Sequence, residues 1–144
     1  MKLMEHNIKK IKTEILTLGR GIALISALFL VISAFMTWGY TDYASVTGGL
    51  GDGMITRIIG VAAFVFLFIK RINIWASLVL GLISLGISIN DYISLTAVLK
   101  TLSGNVGSGM YVTILSSVGL VLGTVIEMIY EKKNKLKLFY IDEQ

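Results

Sequence analysis

The sequence predicts an all-α membrane protein, with four transmembrane helices as two antiparallel hairpins and an amphipathic helix in front of them. Three observations lead there. Apolar residues make up 55% of the 144 and the mean hydropathy is +0.80, while the 15% that are charged gather mostly at the chain ends, too few to coat a water-soluble domain. The apolar residues fall into four runs, 21–39, 54–69, 72–90 and 110–130, each near the length that a ~30 Å hydrocarbon layer asks for. A glycine-rich stretch also occurs twice, as Thr47-Gly48-Gly49-Leu50-Gly51-Asp52-Gly53-Met54 and, 56 residues on, as Ser103-Gly104-Asn105-Val106-Gly107-Ser108-Gly109-Met110. Each copy closes a polar loop and opens an apolar run, so one helical hairpin written twice is a possible origin of the pair.

Residues 1–20 place Met4, Ile8, Ile11, Ile15 and Leu18 at spacings of four and three, with Lys2, Glu5, Lys9, Lys12 and Glu14 on other faces. This is an amphipathic cytoplasmic segment, suited to the membrane interface or, over little more than two heptads, to a partner helix. His6, the only histidine, lies on its solvated face with nothing nearby to complete a site. The run from Gly21 to Gly39 carries no charge over 19 residues and reads as the first span. A cleaved signal peptide is the competing reading, and it is disfavoured by the length of the run and by Thr37-Trp38 at its end. Trp38, Tyr40 and Tyr43 then stand where an interfacial aromatic belt belongs.

The second span, 54–69, carries Arg57 one turn inside its start. Its guanidinium can snorkel to the interface, pair with Asp52 in the preceding turn, or serve as an anion-binding or gating charge. Lys70 and Arg71 leave only a tight turn before the third span, 72–90. There Ser77/Gly81 and Ser84/Ser88 put small residues four apart, which allows close approach of another helix. The loop 91–109 contains Leu95, Val98, Leu99 and Leu102, a spacing that predicts a short helix on the bilayer surface. In the fourth span, 110–130, Gly119 and Gly123 form a GxxxG pattern, usable inside the bundle or between copies. Glu127, the only carboxylate in the four runs, is a candidate proton or cation site or a partner for Lys132. The tail, 131–144, is basic, then apolar, then acidic.

Eleven of the thirteen Lys and Arg residues fall on the side of the termini and of the 70–71 turn, and two, Arg57 and Lys100, on the other. The positive-inside rule therefore puts both termini in the cytoplasm and both glycine-rich loops outside, in a multi-pass protein of the cell (cytoplasmic) membrane. The net charge of +4 fits anionic lipid better than nucleic acid, because the lysines flank membrane spans and lack interleaved aromatics. Zero cysteines exclude disulfides and thiolate sites, and zero prolines exclude proline kinks.

Trp38-Gly39 closing the first run, Asp52-Gly53 opening the second and Gly107-Ser108-Gly109-Met110 opening the fourth resemble small, uncharacterised four-span proteins of prokaryotic membranes. That resemblance covers most of the chain and implies a four-span fold without implying an activity. A fainter similarity is to claudin-like tetraspan proteins, whose first outer loop has a Trp-rich motif and two cysteines where this chain has Trp38 and none.

No nucleophile elbow, P-loop, zincin or dinucleotide fingerprint is present, so no catalytic residue, cofactor or metal is expected. The expected function is that of a non-enzymatic membrane scaffold, accessory subunit or envelope component. One alternative is an oligomeric channel or small transporter with Arg57 and Glu127 lining a path between protomers, and another is a self-assembling coat or filament protein. The expected partners are the lipid bilayer and either further copies of the chain or another membrane protein.

Overall fold

The computed structural model describes residues 17–69 and 74–141. The amphipathic segment up to residue 16, the turn at 70–73 and the last three residues of the tail lie outside the described residues. Four helices dominate: α1 (Leu18–Ser33), α2 (Gly53–Phe68), α3 (Ile74–Thr101) and α4 (Ser108–Ile141). α3 and α4 are long and apolar enough to cross a membrane, while α1 and α2 are apolar but only 16 residues each. α1 packs on α4 and on α2, and α3 packs on α4 and on α2, which closes an antiparallel four-helix bundle.

The core is built from small and medium side chains. Ala23, Ala27 and Leu30 of α1 meet Ile59, Ala63 and Leu67 of α2 and Leu120 of α4. Outward faces are apolar as well, with Ile25, Phe29, Ile58, Val61, Leu82 and Leu115 all exposed. A helix that is apolar all round is suited to lipid rather than water. The closest helix contact lies between α1 and α4: a Cβ on Gly123 would stand 2.6 Å from the Ala23 amide nitrogen, and one on Gly19 2.5 Å from that of Glu127.

The two glycine-rich loops are not irregular. Thr37–Tyr40 (β1), Ser45–Thr47 (β2) and Asn105–Val106 (β3) form an antiparallel sheet in the order β2-β1-β3. Gly39 lies opposite both Val46 and Val106, and Thr37 lies opposite Thr47, so Trp38 is the extra residue of a bulge. The bulge turns the indole inward. Trp38 is 7% exposed, and its Nε1–H donates to the Ser33 carbonyl at 3.0 Å, so it is a buried part of the cap rather than the interfacial anchor expected of it.

The first helix is likewise shorter than the 21–39 run. α1 stops at Ser33 because the β-branched and aromatic stretch from Thr37 pairs with two other strands, while Phe35 and Met36 close the last turn on the Ile32 and Ser33 carbonyls. The separate surface helix expected within 91–109 does not form. No Gly or Pro interrupts the chain between Asp91 and Thr101, so α3 runs on through it, and Leu95 and Leu99 end against Gly39 of the cap. α4 similarly continues into the lysine-rich part of the tail, as far as Ile141.

The two glycine-rich stretches do not fold alike. In the repeat register Ser45–Thr47 corresponds to 101–103, but the first is a strand and the second the end of α3. Asn105–Val106 is a strand where its counterpart, Gly49-Leu50, belongs to a 3-10 turn over Gly48–Leu50. Only the helix starts at Gly53 and Ser108 coincide within a residue.

Candidate functional site

Buried polar side chains gather along one seam. On α3, Ser77, Gly81, Ser84, Ser88 and Asp91 follow one another at four- and three-residue steps, all on one face and all buried. On α4, Thr113, Ser117, Leu120, Thr124 and Glu127 repeat the same steps and are buried too. The two stripes run antiparallel to each other, held in register by Ser84 against Ser117 and by Gly81 against Leu120 and Val121.

Hydrogen-bond accounting fixes the protons in the half of this seam nearer the sheet. Ser88 Oγ–H donates to the Ser84 carbonyl at 2.7 Å, and Ser117 Oγ–H donates to the Thr113 carbonyl at 2.9 Å. The 2.8 Å contact between Ser84 and Ser117 hydroxyls must then be donated by Ser84, and the 3.3 Å approach of Ser88 to Ser117 carries no proton. Ser33 donates to the Leu30 carbonyl, so Thr113 donates to Ser33 Oγ at 2.9 Å while also lying 2.8 Å from the Gly109 carbonyl. One network thus ties α1, α4 and α3 together.

Toward the amino-terminal end of α1, Ser77 Oγ, Glu127 Oε2 and Arg20 Nε are buried without a hydrogen-bond partner, as is Asp91 Oδ2 at the sheet end of the seam. Glu127 is 2% exposed, and the charge of Arg20, 8% exposed in the first turn of α1, acts on it directly, with Glu131 a like charge one turn on. The amino-terminal end of α1, capped by Thr17 Oγ1 on the Arg20 amide, adds a favourable partial positive charge beside the carboxylate. Of this pair only Glu127 stands out in the sequence. Arg20 counts there only as one more cytoplasmic base, 107 residues from its partner.

At the sheet end of the bundle Asp52 and Asp91 stand side by side. Asp52 occupies the position before α2 but makes no capping hydrogen bond there.

The remaining residues singled out in the sequence separate. Arg57 does not join Asp52; its guanidinium carbon lies 5.4 Å from the centroid of the Phe35 ring, a cation–π contact at the opposite end of the bundle from Glu127. Gly119 and Gly123 both face α1, where a Cβ on Gly119 would meet Ser26 Oγ at 2.4 Å. Between α1 and α4, Ser26, Phe29, Ser116 and Leu122 border an apolar groove of about 370 Å³ that opens to the surface of the bundle. The four- and three-residue spacing that continues Ser77 to Asp91, matched on α4 from Thr113 to Glu127, was the signal available for finding the seam.

Among the described residues no three His, Asp or Glu side chains converge as metal ligands. Compared with known family models, curated proteins and solved structures, the chain matches none.

Proposed function

We propose that this chain is a four-span protein of the cytoplasmic membrane, with both termini inside, that works without catalysis as a scaffold or accessory subunit of a membrane assembly. One observation carries this reading: the bundle is closed on itself and capped by a three-stranded sheet, leaving the exposed Tyr43, Tyr40 and Val46 of the cap as a surface for partners outside. A filled four-helix bundle leaves no room for a hydrated ion or a solute. The arrangement offers little to the channel alternative, because Arg57 and Glu127 lie at opposite ends and both face neighbours within the chain. GxxxG residues occupied by α1 are likewise not free to join copies into a coat or filament.

The absence of native cysteine gives a clean test of topology. Single substitutions Asp42→Cys and Lys132→Cys are expected to react with a membrane-impermeant maleimide in intact cells at the first site only, and reaction at the second alone would invert the orientation. Vesicles containing the purified protein are expected to hold K⁺, Cl⁻ and small neutral solutes as tightly as protein-free vesicles. Passage of any of them would remove the scaffold reading.

A further inference from the structure

We propose that the α3–α4 seam carries protons through the bundle, between the outer carboxyl of Asp91 and the inner carboxyl of Glu127. The inference goes beyond the scaffold reading and is compatible with it, since a proton path needs no open pore and an accessory subunit can feed protons to a larger assembly.

Three observations carry it. First, the seam puts an ionisable group at each end and hydroxyl oxygens between them, on two facing stripes of identical spacing. Ionisable groups are expensive inside a membrane, and Asp91 and Glu127 stand at the two ends of these stripes. Second, one hydroxyl already donates across the helix interface, Ser84 to Ser117 at 2.8 Å, and Ser88, three residues from Asp91 on the same face, has its oxygen 3.3 Å from that of Ser117. Third, Ser77 Oγ, Glu127 Oε2 and Arg20 Nε are buried and unpartnered. Leaving such groups dry costs on the order of 1–3 kcal/mol each, and water bound among a donor, an acceptor and a hydroxyl relieves it.

The proton balance is simple. A proton binds Asp91 from the outer water, a hydroxyl takes one up as it gives its own to the next oxygen, and Glu127 releases one to the cytoplasmic side, so one charge crosses per proton. Asp52 faces Asp91 from α2, and Tyr92 follows it on α3; Arg20 faces Glu127 from α1, and Glu131 follows it on α4. The tight point is the level of Gly81 and Leu120. Seven residues separate Ser84 from Ser77, about 10 Å of helix, and a Cβ on Gly81 would already stand 3.0 Å from Val121. α3 and α4 must part at Gly81 to admit water there before a proton can pass.

The test uses the full chain in lipid vesicles with a trapped pH-sensitive dye and a K⁺ diffusion potential set by valinomycin. Proton entry is expected at least tenfold faster than in protein-free vesicles, with a tenfold or greater loss in Glu127→Gln, a several-fold loss in Asp91→Asn and Ser117→Ala, and no change in Ser26→Ala on the lipid side. Protein-free rates in the wild type, or wild-type rates in Glu127→Gln, would overturn the inference. Should Glu127→Gln not fold, Ser84→Ala and Ser117→Ala decide, because each removes one oxygen and little volume; undiminished flux in both would overturn it. Failure here leaves the scaffold reading standing, whereas K⁺ or Cl⁻ crossing with the protons would mean a pore and defeat both.

Discussion

Gly48 lies flat against the Trp38 ring, so close that a single added carbon would stand 2.4 Å from the indole. Gly109 approaches the same ring from the other loop, where a Cβ would stand 2.8 Å from Cδ1, and the Gly107 amide donates to the Trp38 carbonyl at 2.7 Å. Both glycine-rich stretches therefore exist to enclose one tryptophan. Gly48→Ala is expected to destabilise the protein by about 1–3 kcal/mol through overpacking, read as a lower Tm in detergent. Gly86→Ala, where a Cβ meets nothing within 4 Å, is expected to stabilise α3 by about 0.5–1 kcal/mol instead.

The two tryptophans should report opposite environments. Trp38 is buried and hydrogen-bonded, whereas Trp75 is 57% exposed. With Trp75→Phe the remaining emission is expected to be blue-shifted and poorly quenched by acrylamide; with Trp38→Phe it is expected to be more readily quenched. Equal quenching in the two variants would contradict the inward turn of the bulge.

Ser103 ends α3 with φ of 52°, the left-handed conformation that glycine adopts freely, and the Gly104 amide donates to the Leu99 carbonyl at 2.8 Å. The pattern is a Schellman cap with serine in the glycine position. Ser103→Gly is expected to raise stability by about 1 kcal/mol. Gly104→Ala should lower it, because its Cβ would stand 2.7 Å from Leu99 and 2.8 Å from the Tyr40 carbonyl. Thermal unfolding of the two variants beside the wild type checks both signs.

The apolar runs were legible because hydropathy reads directly as burial in lipid, and α2 lies within a residue of its run. The cap was not. Strand pairing between Gly39 and Val106 spans 67 residues, and three strands of two to four residues leave no periodicity to detect. The same long range hid Arg20 beside Glu127, while Glu127 itself was visible as the one carboxylate within an apolar run. Asp91 was misplaced for a different reason: its polarity marked the end of the hydrocarbon run, but a helix ends only where its backbone bonding does, ten residues later at Thr101.

The unequal helix lengths bear on the lipid around the protein. At 1.5 Å per residue α1 and α2 are ~24 Å long, about 6 Å short of a typical hydrocarbon thickness, while α3 exceeds it. With all four helices crossing as proposed, the bilayer would be drawn thin along the α1–α2 flank and left at full depth beside α3. Such a lopsided fit costs a fraction of a kcal/mol per Å of mismatch, enough to favour thinner membranes and to orient neighbouring lipids and proteins around this chain by thickness alone.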